Sequence, residues 1–342
     1  MKKQITVAAF ILLVIGCTAE TEQINTPNAV AELRPVTVGG MEQWLLIRGT
    51  DRTNPLLLWL HGGPGSAQMP IHHAYTRELE QEFVVVHWDQ RGAGKSNPRN
   101  FKEVTMTLDR FIRDTHEVTR YLLKQFNRDK IYLLGHSWGT LLGMYTVERY
   151  PEDYHAFISV SQVVHTDRAA ALSYNWLKKQ VETNGTRQQK EEFRNLGPPP
   201  YRNHDRYVQF AKMIDAFGGG MDAGFPELLW KSLQAEEYTL TDYIRWFKGA
   251  NRGSGPMWEE TNDIDLFSEI PTVKVPLFFM TGRNDYNTPH QLVREYYAQL
   301  EAPLGKQLIP FDHSAHTPFI AEPKKFVQTL ADIKNNRSST AL

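Results

Sequence analysis

Ile131-Tyr132-Leu133-Leu134-Gly135-His136-Ser137-Trp138-Gly139-Thr140-Leu141-Leu142 is the stretch that decides how this chain is read. Ile131 to Leu134 is a short apolar run of the kind that forms a buried strand. Thr140 to Arg149 carries helical spacing and stops at Pro151. Between them, Gly135-His136-Ser137-Trp138-Gly139 fits G-x-S-x-G. A serine on such a strand–turn–helix junction is held in a strained conformation that exposes its hydroxyl, and small neighbours let strand and helix approach. The helix N-terminus behind it favours developing negative charge. The pentapeptide alone arises by chance in long chains; the strand before it and the helix after it make it specific. Ser137 is the candidate nucleophile.

Working outward, strands and helices alternate. Leu33 to Arg48 reads as a hairpin turning at Gly39-Gly40, Leu56 to Leu60 and Phe83 to Trp88 as buried strands, and Leu108 to Leu122 as a helix with its apolar face at Phe111, Ile112, Thr115, Val118 and Leu122. Further strands are expected at Phe157 to Val164, Val275 to Met280 and Lys306 to Pro310, with an amphipathic segment from Glu322 to Asn335. This order predicts an α/β chain whose mostly parallel sheet is flanked by helices. Between residues 165 and 265 the sequence turns polar, aromatic and helical in period, broken by Pro198-Pro199-Pro200 and Gly218-Gly219-Gly220. That stretch reads as a helical cap inserted before the acid-bearing strand, so the core is divided into residues 31–164 and 266–342.

A serine hydroxyl needs a base, and the base needs an orienting carboxylate. The order that accompanies this kind of turn is serine, acid, histidine. Asp285, in Gly282-Arg283-Asn284-Asp285 after the cap, is the candidate acid; Asp312 competes but stands beside the histidines it would have to face. His313 and His316 compete as base in His313-Ser314-Ala315-His316. Two backbone N–H groups should receive an oxyanion: one from Trp138, after the nucleophile, and one from the loop His61-Gly62-Gly63-Pro64-Gly65, with Gly63 the preferred donor. Loss of one such donor typically lowers the rate about 10²–10³-fold.

Two other chemistries are disfavoured. Gly92-Ala93-Gly94-Lys95-Ser96 imitates a phosphate loop, but G-x-x-x-x-G-K-[ST] requires glycine where the chain has Asp89. His313 and His316 lack the glutamate and helical spacing of a zinc H-E-x-x-H site, and His72 and His73 read as surface or supporting groups rather than ligands. With 38 Lys plus Arg against 39 Asp plus Glu, the chain offers no electrostatic footprint for nucleic acid. With 41% hydrophobic and 23% charged residues in 342, it has material for a large core.

Its single cysteine, Cys17, permits no internal disulfide and stands where a leader would end. Lys2 and Lys3 precede an apolar run from Ile5 to Ile15, too short to span a ~30 Å hydrocarbon core. Val14-Ile15-Gly16-Cys17 resembles a bacterial lipoprotein signal. The resemblance implies removal of residues 1–16, a diacylglycerol on the Cys17 sulfur, export to the cell envelope and a lipid anchor in a membrane. Residues 17–30 would then be a flexible tether.

The motifs HGGPG at 61–65, DQRGAGKS at 89–96, GHSWGT at 135–140, GRND at 282–285 and HSAH at 313–316 together resemble the prolyl aminopeptidase (proline iminopeptidase) branch of the α/β-hydrolases. The resemblance extends over roughly residues 30 to 335, and it implies the α/β-hydrolase fold. It also implies Ser137 as nucleophile, His316 as base and then acid, Asp285 as orienter, and Gly63 and Trp138 as oxyanion donors. His316 is preferred to His313 because Thr317-Pro318-Phe319 and the final helix follow it, as they follow the catalytic histidine of related hydrolases. No metal or organic cofactor is implied, and the substrate would be a small peptide or acyl compound. In that family, cap glutamates bind the substrate's free amine; the candidates here are Glu227, Glu236, Glu237, Glu259 and Glu260, with no motif that selects one. The alternative to an aminopeptidase is an esterase or lactonase using the same triad.

Overall fold

The computed structural model describes residues 19–335. The apolar leader and Cys17 lie outside the described residues, so their expected processing has no structural counterpart here. Among the described residues, no helix is long and apolar enough to cross a membrane.

Eight strands form one sheet in the order β1-β2-β4-β3-β5-β6-β7-β8. They are β1 (Val30–Val38), β2 (Met41–Gly49), β3 (Leu56–Leu60), β4 (Val84–Asp89), β5 (Ile131–His136), β6 (Tyr154–Val160), β7 (Leu277–Gly282) and β8 (Lys306–Phe311). β1 and β2 are an antiparallel hairpin, closed by Gly39 and Gly40 at φ of 56° and 73°. β2 meets β4 antiparallel, and every later pairing is parallel. The strand boundaries match the sequence reading to within a few residues.

The continuous apolar runs have a direct cause: both faces of the sheet are covered. Leu56, Leu58 and Leu60 point to one face with Leu133, Phe157 and Phe279. There they meet helix α1 (Leu108–Phe126) through Phe111, Val118 and Leu122, and helix α2 (Trp138–Arg149) through Leu141 and Leu142. Leu57 and Trp59 point the other way and join Leu134, Ile158, Met280 and Phe311. Thr107 caps α1 by accepting from the Arg110 N–H at 3.2 Å, as a threonine ahead of an apolar run should.

Between β6 and β7 the chain runs through α3 (Thr166–Asn184), α4 (Arg187–Leu196), α5 (His204–Ala216), α6 (Phe225–Ser232) and α7 (Leu240–Arg252). These helices share a small core of their own, including Leu177, Phe193, Phe210 and Ile214, which accounts for much of the aromatic content there. After β7 come α8 (His290–Gln299) and α9 (Pro323–Lys334); Phe326, Leu330 and Ile333 of α9 cover the second face of the sheet. The phosphate-loop look-alike turns out to fasten this insertion. Lys95 is buried, and its Nζ donates to the Glu237 carbonyl at 3.0 Å and to Asp242 Oδ2 at 2.7 Å. The Tyr238 hydroxyl donates to Asp89, the residue that breaks the nucleotide motif.

One expectation fails. The polar composition after Cys17 predicts a free tether, but the part the structure describes is docked. Thr21 is buried; its hydroxyl donates to Glu237 Oε1 at 2.7 Å and accepts from Arg48 Nη1 at 2.5 Å. Arg48 also holds the Glu22 carbonyl at 2.6 Å, and the Thr26 hydroxyl donates to the Thr50 carbonyl at 2.6 Å. Polar residues suit solvation, yet a buried arginine needs acceptors, and this segment supplies them.

Candidate active site

β3 has β4 on one side and β5 on the other, so consecutive crossovers leave in opposite directions. Ligands of open α/β sheets bind at such a switch, beyond the carboxyl ends of the strands. The two loops picked out from sequence, 61–65 after β3 and the turn at Ser137 after β5, meet there.

Ser137 has φ 53° and ψ −121°, a conformation that a non-glycine residue adopts only when its surroundings impose it. Its N–H donates to the Val160 carbonyl at 3.0 Å, and its own carbonyl accepts from the Thr140 N–H at 2.7 Å. The glycines on either side are sterically required. A Cβ at Gly135 would lie 2.2 Å from the Gly139 carbonyl oxygen, and one at Gly139 would lie 2.1 Å from that of Leu60. α2 begins at Trp138, so the N–H groups of its first turn open toward the serine.

Asp285 and His316 are brought together. His316 Nδ1 is 2.9 Å from Asp285 Oδ2, and both residues are buried. Asp285 Oδ2 also accepts from the Thr288 hydroxyl at 2.6 Å, while Oδ1 accepts the Asn287 and Thr288 N–H groups at 2.9 Å each. Burial works to raise the Asp285 pKa, but His316 and these donors outweigh it and hold the carboxyl below its usual range. Burial pulls His316 the other way, and the Asp285 charge and hydrogen bond leave its pKa raised above 6.5. The competitors are elsewhere: Asp312 pairs with Arg283 at the surface, and the His313 N–H donates to Glu322.

The histidine loop is held by residues that sequence reasoning missed. Asp222, just after the triple glycine, accepts from the N–H groups of Ala315 and Thr317 at 2.6 and 2.7 Å and from the hydroxyls of Thr317 and Ser314 at 2.9 and 3.0 Å. The Gly220 carbonyl accepts the His316 N–H at 2.9 Å, and the Gly219 carbonyl accepts the Tyr286 N–H at 2.8 Å. From below, Trp59 Nε1 donates to Gln68 Oε1 at 2.7 Å, which turns Gln68 Nε2 toward His136 Nδ1 at 2.9 Å. His136 Nε2 therefore carries the proton and donates to the His316 carbonyl at 2.9 Å. Burial pushes His136 down to about 3, so it stays neutral beside the triad. Only His136 had a local signal, its place in the G-x-S-x-G turn; the others are joined to the loop solely by the fold.

Ser137, His316, Gly63 and Trp138 line one cavity of about 200 Å³, closed by Tyr207, Phe210, Ile214 and Trp258 of the insertion and by Tyr286. It is small beside the roughly 300–1,000 Å³ of drug-sized sites, matching one small side chain or acyl group. None of the five cap glutamates lines it. Glu227 accepts from the Tyr75 hydroxyl at 3.1 Å, Glu260 caps the start of α1 at the Leu108 N–H at 2.9 Å, and Glu236 and Glu259 are exposed. Glu237 is buried in a different cluster, with His72 Nε2 at 3.3 Å beside Thr21, Arg48 and Glu80. His72 is thus neither a surface group nor part of the site.

A family model described as the alpha/beta hydrolase fold matches residues 55–323. A probable aminopeptidase of Bacillus subtilis (strain 168) is 33% identical over 311 residues, spanning 90% of this chain and 98% of its own. A proline iminopeptidase of Heyndrickxia coagulans is 26% identical over 290 residues, spanning 81% and 89%. Among solved structures, a proline iminopeptidase-related protein of Thermus thermophilus superposes with a TM-score of 0.62 over 89% of this chain and 98% of that one. At 19% identity, that likeness speaks for the fold.

Proposed function

This chain belongs to the α/β-hydrolase fold family, and from that premise we propose a serine aminopeptidase that releases N-terminal proline or a small apolar residue. The observation that carries the mechanism is the strained Ser137 sharing a small cavity with His316, itself held 2.9 Å from Asp285. In this reading His316 Nε2 takes the Ser137 proton as Oγ attacks the scissile carbonyl. The N–H groups of Trp138 and Gly63 receive the oxyanion of the tetrahedral intermediate. Collapse breaks the C–N bond, His316 protonates the departing amine, and an ester remains on Ser137. Water, deprotonated by His316, then hydrolyses that ester and returns the proton to Ser137. Asp285 keeps its charge throughout and orients the imidazole.

The names of the curated relatives support the peptidase reading. A different observation favours the second reading, an esterase or lactonase: the cavity wall carries no glutamate or aspartate to meet a substrate ammonium. A panel of aminoacyl naphthylamides beside p-nitrophenyl esters separates the two. Hydrolysis of prolyl or alanyl naphthylamide, abolished in Ser137→Ala, is the expected result. Ester turnover with no aminoacyl-amide turnover would replace the peptidase by the esterase.

We further propose that the protein is exported to a bacterial cell envelope and anchored through lipidated Cys17, on the strength of the residue pattern around Cys17. Cys17→Ser should block processing of the leader and incorporation of labelled fatty acid; unchanged labelling would refute the anchor.

A further inference from the structure

The insertion exposes large apolar side chains that nothing among the described residues covers. Phe225 and Trp230 of α6 are 60% and 65% exposed, Leu233 just after it 49%, and Leu240 and Ile244 of α7 81% and 57%. Scattered apolar residues are ordinary on surfaces, but all of these except Trp230 are in register. Phe225, Leu229 and Leu233 follow i, i+4, i+8, and Leu240, Ile244 and Phe247 follow i, i+4, i+7, so each helix presents one apolar stripe. The stripes adjoin: Phe225 and Phe247 have ring centroids 6.3 Å apart, and the buried Tyr243 hydroxyl of α7 donates to the Ser232 carbonyl of α6. Contiguous exposed apolar faces of this kind mark a surface with a partner.

What covers it follows from the route of the N-terminal strap. Read toward the N-terminus, the strap is fastened first to the core, Thr26 to Thr50 and Glu22 to Arg77, and then to the insertion, Thr21 to Glu237. Glu237 sits in the loop between α6 and α7, between Leu233 and Leu240. At Thr21, which also accepts from Arg48 of the core, the strap therefore reaches the loop that joins the two stripes. Cys17 is four residues before Thr21, and that length of chain can extend no further than about 14 Å. The residues that precede it include the apolar run Ile5 to Ile15.

We propose that the α6–α7 face is a membrane-contact surface: it lies against the acyl–headgroup boundary of a lipid bilayer, and the docked strap holds it there. The proposal is independent of whether the hydrolase is a peptidase or an esterase. Side chains of the size of Phe225, Trp230, Leu240 and Ile244 suit shallow insertion among headgroups. Around them, Lys231 and Lys248 are matched by Glu227 and Glu236, so the surface binds by apolar burial rather than by attraction to anionic lipid. A thioether-linked lipid alone would keep the protein at the membrane in any orientation; strap and face together fix one.

Depth measurement on the full-length protein tests this. Gln234→Cys and Thr241→Cys place a polarity-sensitive fluorophore beside the stripes without removing their side chains, and Lys124→Cys on α1 serves as reference. Reactivity of Ser137 toward a fluorophosphonate checks that each labelled protein is folded. In phosphatidylcholine vesicles carrying nitroxide-labelled acyl chains, quenching at 234 and 241 should exceed that at 124 by at least about threefold. It should change little with salt or with added phosphatidylglycerol. Replacing Phe225, Trp230, Leu240 and Ile244 together by serine should bring it down to the reference level. Equal quenching at all three sites would overturn the proposal. So would a concentration-dependent spectral shift at 234 and 241 in detergent without nitroxide quenching in vesicles, which would give the face to a second copy of the chain.

Discussion

Among the described residues, two buried histidines stand against carboxylates, and only one of them opens on the cavity that Ser137 lines. His316 stands 2.9 Å from Asp285, and His72 stands 3.3 Å from Glu237. Both carboxylates are held below their usual pKa although burial opposes it, Asp285 by His316 and Thr288, Glu237 by His72 and Thr21, which bring it to about 2. The difference is in what faces the pair. His316 opens on a cavity that also holds a serine at positive φ. His72 is enclosed by Arg48, Glu80, Glu237 and His87, none of them a nucleophile, and the strap passes over them. A histidine–carboxylate pair can become a catalytic device when the fold leaves it an unspent imidazole nitrogen beside a reactive atom; otherwise it is a fastener.

The comparison breaks most sharply at Ser137. Ser137→Ala should lower kcat by about 10⁴–10⁶-fold while leaving the melting temperature nearly unchanged; substantial residual turnover would remove this serine from the mechanism. Asp285→Asn should lower kcat by about 10³–10⁴-fold, through loss of the imidazole's orientation and charge partner. At the other pair the readouts exchange places. Glu237→Gln should destabilise the protein by about 3 kcal/mol in chemical denaturation, because it removes a buried carboxylate that accepts from Thr21 and stands against His72, with kcat changed by less than about threefold. Asp222→Asn is intermediate: with the histidine loop loosened, kcat should drop about tenfold with KM little altered, since Asp222 touches no substrate.

Acid separates the pairs as well. In the proposed mechanism His316 must be neutral to accept the serine proton, and its pKa is raised, so kcat/KM should rise with pH through a midpoint above 6.5. Asp285→Asn should move what remains of that limb to lower pH. For Glu237 the folded pKa of about 2 lies below the ordinary 4.5. Its contribution to stability is therefore present above pH 4.5 and is lost as pH falls toward 2. Acid titration of the melting temperature should show that loss in the wild type and a flatter response in Glu237→Gln.

Legibility in the sequence divides along the same line. That Ser137, Gly63 and Trp138 share one cavity could be read because their setting is local: a strand, a tight turn and a helix stand within a few residues of each other. The pairing of Asp285 with His316 could be read because each follows a strand of apolar character. Asp222 could not, since its only mark is that it follows three glycines, and the loop it holds is more than ninety residues away. Glu237 was legible as a cap glutamate but not as a buried one. Its partners Thr21 and His72 come from two separate segments, and a charged residue carries no local sign that a fold will enclose it. The docked strap was hidden for the same reason.

The triple glycine carries a last consequence. Through Gly219, Gly220 and Asp222 the insertion holds the backbone of both the acid loop and the histidine loop. An insertion that swung away as a hinged door would take the base with it, so an open door and a working triad exclude each other. Substrate must thread past the aromatic wall, or wait for reclosure before any bond is broken. On the proposed mechanism, excising the insertion would yield a silent enzyme rather than an indiscriminate one, because the insertion also holds the loop that carries His316.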